Sequence, residues 1–205
     1  MVYRLTPELL VRAYREGIFP MARSRHGPIE WFSPDPRGVL PLDAFHIPHG
    51  LRKSLRRCAY RVTVDHAFEH VIHACAAPRP YTSDTWINDQ IIEAFIQLHA
   101  SELAHSVEAW TIPLERGSRS SPELVGGLYG VALGGAFFGE SMFSTATDAS
   151  KICLVHLVER LQRRGFTLLD TQFATPHLIQ FGVIELARDD YLKRLTKALR
   201  MEIAW

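Results

Sequence analysis

In the second half of the chain, helical and strand spacings of apolar side chains alternate. Ile91, Ile92, Phe95 and Leu98 recur three or four apart, which predicts an amphipathic helix. His105–Ile112 alternates as a strand. Leu124–Leu133 and Ala136–Phe143 are near-continuous apolar runs around Gly134-Gly135, the pattern of a buried hairpin. Ile152, Leu154, Val155, Leu157, Val158 and Leu161 give apolar sides to a helix over about residues 148–164. Thr147 or Asp148 is expected to cap it, and Gly165 follows its last turn. Phe166–Gln172 reads as a further strand. Tyr191, Leu192, Leu195 and Leu199 mark a last helix near Asp189–Leu199.

The first part is richer in turn signals. A short helix starting near Thr6-Pro7 ends at Gly17-Ile18-Phe19-Pro20, and Ser33-Pro34-Asp35-Pro36-Arg37-Gly38 reads as a rigid loop. Leu51–Arg57 predicts a short basic helix and Tyr60–Val64 a strand. Ala67–Cys75 predicts a helix burying Phe68, Val71, Ile72 and Cys75. Ala76-Ala77-Pro78-Arg79-Pro80 then breaks the pattern as a hinge would, and Arg116–Pro122 reads as an exposed polar loop. The expected organisation is mixed α/β, with a small N-terminal domain over 1–77 and a larger one over 78–205.

Composition narrows the class. With 47% hydrophobic and 22% charged residues among 205, the chain can bury a core and is not a disordered tail. A formal net charge of +1 excludes a uniformly basic nucleic-acid coat. The charge is uneven, however. Residues 1–80 hold 12 basic against 7 acidic side chains, and residues 81–205 hold 11 against 15, so the first part is suited to a polyanion. Cys58, Cys75 and Cys153 are odd in number and far apart, which argues against a disulfide framework or a cysteine zinc site. A cytoplasmic setting is expected, since the first residues lack the apolar stretch of a signal peptide. The longest uncharged apolar run, Val125–Gly139, is too short and too glycine-rich for a membrane helix.

Candidate chemistry centres on the predicted strand–helix–strand unit. A helix of that length is a crossover, so the strands Ala136–Phe143 and Phe166–Gln172 should run parallel and close together. Alternation places Glu140 with Met142 on one face and Asp170 with Gln172 on one face. If those faces coincide, two carboxylates and an amide meet at the carboxyl ends of parallel strands, where ligand crevices form in α/β sheets. The same pattern also fits a capped strand end, or an internal ion pair with Lys151 or an arginine.

Several ordered motifs make the reading specific. They are Trp31-Phe32-Ser33-Pro34-Asp35-Pro36-Arg37, Thr85-Trp86-Ile87, His105-Ser106-Val107-Glu108, Leu124–Val131, Phe138-Gly139-Glu140-Ser141-Met142-Phe143-Ser144, Asp148-Ala149-Ser150-Lys151 and Leu169-Asp170-Thr171-Gln172. Together they resemble the leucyl/phenylalanyl-tRNA–protein transferases from about Ala13 to Tyr191. The resemblance implies an acetyltransferase-like (GNAT-like) C-terminal domain with a smaller N-terminal α/β domain. It implies a cytoplasmic enzyme, expected to be monomeric, that needs no cofactor or metal and no membrane. That enzyme moves leucine, phenylalanine or, less readily, methionine from aminoacyl-tRNA to acceptor proteins beginning with Arg or Lys, marking them for degradation.

The family's roles, carried onto matching positions, make Asp170, Gln172 and Glu140 catalytic, with Asp170 polarising Gln172. They give an apolar amino-acid pocket of Leu128, Phe137, Leu154, Leu157, Leu161 and Leu169, and place Trp86 against the terminal adenosine. Arg52, Lys53, Arg56 and Arg57 form a dense basic cluster where the family meets the acceptor stem. The chain departs from the family at Met21, where a tryptophan is usual, and at Thr145, where an arginine is usual. An acyl-CoA-dependent N-acetyltransferase and a non-catalytic adaptor for tRNA or N-terminal residues are the alternatives. The turn Ser144–Ser150 lacks the glycines of a pyrophosphate cradle. His66, His70 and His73 share a predicted helix but come without an HExxH motif, so no metal site is expected.

Overall fold

The structure is a computed structural model that describes residues 5–57, 59–78, 84–112 and 121–205. Cys58, the Arg79-Pro80 end of the expected hinge, and residues 116–120 of the expected polar loop lie outside the described residues.

Seven helices and nine strands are described: α1 (Pro7–Arg15), β1 (Phe19–Ala22), β2 (Ile29–Phe32), β3 (Arg37–Val39), α2 (His49–Arg56), β4 (Arg61–Val64), α3 (Phe68–Ala76), α4 (Asp89–Ala100), β5 (Ala104–Trp110), β6 (Leu124–Leu133), β7 (Ala136–Ser144), α5 (Ala149–Arg164), β8 (Leu168–Gln172), α6 (Pro176–Ile179), β9 (Ile184–Leu186) and α7 (Arg188–Leu199). A seven-stranded sheet runs β4-β5-β6-β7-β8-β3-β9, and β1-β2 form a separate antiparallel ribbon. Every pairing in the large sheet is antiparallel except β7 with β8, the two strands joined by α5. The expected parallel neighbours are thus present.

Both faces of the sheet are covered. One core holds Tyr14, Phe68, Ile72, Phe95, Tyr129, Phe138, Leu168 and Tyr191, from α1, α3, α4, α7 and one sheet face. The other holds Val107, Leu128, Phe137 and Leu169 from the opposite face, packed by Ile152, Leu154, Leu157, Val158 and Leu161 of α5. A sheet buried on both sides needs apolar residues at successive positions, which explains the near-continuous runs in β6 and β7. α5 starts directly on β6, where a Cβ on Gly126 would stand 2.6 Å from that of Ala149.

Local signals place the helix ends. The Thr6 hydroxyl accepts from the Leu9 N–H at 3.3 Å, Asn88 accepts from the Ile91 N–H at 3.0 Å, and Gly165 closes α5 at φ 84°. Asp148 stands at the start of α5 but does not cap it through its side chain. It adopts φ 62° and turns to the Ser54 hydroxyl at 2.8 Å and Lys151 Nζ at 3.1 Å, tying α2 to α5.

The expected rigid loop over Ser33–Gly38 is corrected at its end. Arg37–Val39 is a strand lodged between β8 and β9. Three residues are too few to show a period, and two neighbouring prolines mask them. The ribbon Phe19–Ala22 with Ile29–Phe32, the turn of helix at Pro176–Ile179 and the strand Ile184–Leu186 are likewise absent from the pattern-based reading. Residues 37–39 and 61–64 supply strands to the same sheet as residues 104–186, so the sheet itself does not divide at residue 77. Among the described residues no helix is long and apolar enough to cross a membrane.

Candidate active site

β7 and β8 pair only from Ala136↔Leu168 to Phe138↔Asp170. Beyond that point they part. β7 continues along β6 to Ser144, whereas Gln172 of β8 is opposite Gly38 of β3. A cavity of about 810 Å³ opens at the split, of the size that holds small organic groups. Gly139, Glu140, Ser141 and Met142 line one side, and Thr171, Gln172 and Phe173 line the other. Because the split passes through the sheet, residues of both cores reach the wall: Phe19, Met21, Trp86 and Phe143 from one, and Leu128, Leu154, Leu157 and Leu178 from the other.

The alternation expected for β7 is broken where it matters. Tyr129 pairs with Ser141 but Gly130 pairs with Gly139, so Glu140 is the extra residue of a β-bulge. Glu140 and Met142 therefore do not share a face. Met142 packs with the α5 core, while Glu140 lies beside Tyr14 and Tyr129 of the other core. Glu140 keeps the phase of Phe138, the register partner of Asp170, so the two carboxylates share a side, and the bulge turns Met142 away from it. Gln172 is re-aimed by a second irregularity, φ 57°, a left-handed conformation that a glutamine adopts only under constraint.

Asp170 is fully buried and does not line the cavity. Its Oδ1 accepts from Arg37 Nε at 2.9 Å and from the Gln172 backbone N–H at 2.9 Å. Its Oδ2 accepts from Arg37 Nη2 and from the Tyr191 hydroxyl, both at 2.7 Å. Asp170 thus meets Gln172 through the glutamine's backbone N–H, not its side chain. The Gln172 side chain reaches Glu140 instead, with Nε2 donating to Oε1 at 3.1 Å. Its amide carbonyl has no hydrogen-bond donor among the described residues.

Burial in this largely apolar wall pushes the Glu140 carboxyl up to about 8. The nearby Tyr14 hydroxyl and the Gln172 amide pull it down, as does the charge of Arg37, while the Asp170 charge raises it further. The Tyr14 hydroxyl faces Glu140 without completing a bond of good geometry, and the buried Tyr129 hydroxyl is also unpartnered. Burial drives both phenols well above their ordinary range, so both stay protonated as potential donors.

The structure brings together Glu140, Gln172, Trp86, Leu128, Leu154 and Leu157 on one cavity wall. Phe137, Leu161 and Leu169 are not on it. They belong to the core beneath, Phe137 stacking on Trp205 at 5.1 Å. Phe137 and Leu169 face the same core as Leu128 but pair with each other below the split, and Leu161 lies a turn beyond Leu157 along α5. Met21 and Thr145, the two departures, both line the cavity. Arg52, Lys53, Arg56 and Arg57 are exposed on or just after α2, outside the cavity, and α2 meets the cavity side through Ser54, Asp148 and the adjoining Ser150. Among the described residues no three His, Cys, Asp or Glu side chains gather as a metal centre needs.

Sequence reasoning did not single out Arg37, Tyr191, Tyr14, Phe173 or His177. Arg37 was readable only as part of a proline-rich turn and as the end of the Trp31–Arg37 motif, with no role attached. Tyr14 and Tyr191 were readable only as apolar helix positions.

Comparison with known proteins agrees over most of the chain. The family model described as leucyl/phenylalanyl-tRNA protein transferase matches residues 39–196, and the model of that family's N-terminal domain matches residues 3–35. The leucyl/phenylalanyl-tRNA–protein transferase of Paramagnetospirillum magneticum is 54% identical over 202 residues, covering 98% of this chain and 92% of that protein. Its namesake in Caulobacter vibrioides is 55% identical over 195 residues, with 95% and 86% covered. That of Rubrobacter xylanophilus is 51% identical, with 98% and 99% covered. Among solved structures, L-PGS from Bacillus licheniformis is similar with a TM-score of 0.46 at 10% identity, over 98% of this chain and 72% of that one, too distant to bear on the site. With the motifs in order and identity above half along nearly the full length, the chain belongs to the leucyl/phenylalanyl-tRNA–protein transferase family.

Proposed function

We propose that the protein transfers leucine or phenylalanine from aminoacyl-tRNA to the N-terminal Arg or Lys of acceptor proteins, marking them for degradation. The observation that carries this reading is the hydrogen-bonded Glu140–Gln172 pair on the wall of an otherwise apolar cavity at the β7–β8 split. The chemistry requires little beyond positioning, since the donor ester is already activated. The unbranched apolar wall of Leu128, Leu154 and Leu157 accepts the donor's side chain. Trp86 stacks on the terminal adenosine, an interaction of about 1–3 kcal/mol. α2 meets acceptor-stem phosphates through Arg52, Lys53, Arg56 and Arg57.

At the reacting centre the Gln172 carbonyl accepts an N–H of the acceptor's α-amino group and aims its lone pair at the ester carbon. A new C–N bond forms, the C–O bond to the ribose breaks, and the departing ribose oxygen takes up the proton that the amine gives up through Glu140. Glu140, as carboxylate, removes the proton the amine must lose. Glu140 and Gln172 are the catalytic residues in this scheme, and Asp170 positions Gln172 from behind. Residues 1–77 serve mainly the tRNA and residues 78–205 the reaction. The antiparallel β5-β6-β7 order followed by parallel β8 supports a GNAT-like reading of the latter. The proposed setting is the cytoplasm, and the proposed state a monomer.

The test is incubation with labelled Leu-tRNA and a peptide beginning with Arg, without coenzyme A. Labelled peptide is expected, and Gln172→Ala should bind Leu-tRNA normally while forming little product. Binding by the wild type without product would assign an adaptor, and dependence on coenzyme A would assign an acetyltransferase.

A further inference from the structure

Arg37 lies behind the reacting centre, 1% exposed and outside the cavity wall. A buried guanidinium must satisfy its donors, and Arg37 does so with a forked pair to Asp170 and with Nη1 on the Gly17 carbonyl at 2.9 Å. Its plane is held between two rings, Phe19 at 4.8 Å and Tyr191 at 4.5 Å. Phe19 itself lines the cavity, and Tyr191 donates to the same carboxylate that Arg37 grips. The strand carrying Arg37 also touches the chain at the point of strain. Gly38 is opposite Gln172, and a Cβ there would meet the Phe173 backbone, so β3 and the left-handed turn at Gln172 fit only in close contact.

An unbroken set of short contacts therefore runs from the α1–β1 junction through Arg37 and Asp170 to the backbone N–H of Gln172. Carrying a carboxylate into the core costs several kcal/mol unless its partners are complete. A core of this shape could be filled by apolar side chains without that cost. What apolar side chains cannot do is accept the Gln172 N–H and hold the residue at positive φ.

We propose that Arg37 is a positioning residue for the transfer step: by fixing the Asp170 carboxylate it fixes the left-handed backbone of Gln172, and so the direction in which the glutamine carbonyl meets the incoming amine. The inference rests on the proposed transfer reaction. It adds that the orientation of Gln172 is set from the N-terminal side of the chain, by a residue that touches no substrate.

The experiment compares wild type with Arg37→Lys and with the paired replacement Arg37→Met/Asp170→Leu. Arg37→Lys keeps the charge but loses the fork and the planar stacking. It should lower kcat about 100-fold, the scale of a misplacement near 1 Å, with KM for the peptide and Kd for Leu-tRNA within about twofold. The paired variant removes both charges, so it should fold and bind Leu-tRNA, yet transfer at or below about 1% of the wild-type rate. Exchange of the Gln172 backbone N–H should quicken in both, a readout independent of turnover. A folded paired variant or an Arg37→Lys protein with wild-type kcat would overturn the proposal. A wild-type protein that makes no aminoacylated peptide would instead remove the reaction on which it rests.

Discussion

Two buried polar centres on the same sheet have opposite fates. On β5, Glu108 is fully buried opposite Thr63, and its carboxylate is surrounded by donors. Ser106 Oγ stands at 2.5 Å, Thr63 Oγ1 at 2.6 Å, and the backbone N–H groups of His66 and Ala67 at 3.2 and 3.4 Å. On β7, among the described residues, Glu140 receives one hydrogen bond, from Gln172, and otherwise faces the Tyr14 and Tyr129 phenols, which have no hydrogen-bond partner there, and a cavity. Burial alone does not make a carboxylate reactive. A carboxylate met by four donors locks β4 to β5, whereas one with few donors beside an opening is held near 8 and can exchange a proton.

The sharpest way to break this contrast is Glu140→Gln. It should lower kcat by about 10²–10⁴ at saturating substrates, the usual weight of a positioned base. Wild-type kcat should rise with pH through about 8, as Glu140 loses its proton, and the variant should lack that limb. Stability should respond with the opposite sign. The native state keeps a proton that the unfolded chain releases near 4.3, so the wild type loses stability as pH rises from about 4.3 to 8. Glu140→Gln should therefore gain on the wild type across that window in denaturant titrations. An unchanged pH profile would place the titrating base elsewhere.

Glu108→Ala is the counterpart. It strands two hydroxyls and two N–H groups and should cost about 4 kcal/mol in unfolding free energy, while kcat of the folded fraction stays within about twofold. Next come the two leucines of α5 that separate cavity wall from core. Leu161→Ala should cost about 3 kcal/mol of stability with unaltered amino-acid preference. Leu157→Ala should shift the ratio of kcat/KM for Phe-tRNA over Leu-tRNA upward by about 1–3 kcal/mol. The smallest effect belongs to the exposed helix α2. Replacing Arg56 and Arg57 together by alanine should reduce the slope of log Kd for tRNA against log salt by about 1–2. A slope that does not move would detach α2 from the tRNA.

The motifs visible in the sequence are of both kinds, and inspection does not separate them. His105-Ser106-Val107-Glu108 is as conspicuous as the Glu140 stretch. Yet Ser106 and Glu108 complete the structural knot, and His105 is tied to Asp65 at 2.9 Å and stacked on Trp205 at 4.4 Å. Leu128, Leu154 and Leu157 were legible as pocket residues only through the family likeness. Phe137, Leu161 and Leu169 came with them and lie off the cavity wall, in the core beneath it. The paired strands, the crossover helix and the basic helix were readable because long runs repeat a period. The strand at Arg37–Val39, the ribbon at Phe19–Phe32 and the bulge at Glu140 were not, because each is a single pairing made with a distant partner.

The amino-acid sequence by itself determined the longer helices and strands, that β7 and β8 lie side by side, and that an acid, an acid and an amide stand near their carboxyl ends. Local hydrophobic period and turn chemistry suffice for that. Only the tertiary structure decided which acid faces the opening and which is sealed. That choice depends on the parting of two strands after three paired residues, and on an arginine brought from 133 positions away to hold the second acid in place. These are packing outcomes between remote parts of the chain, and no local pattern carries them.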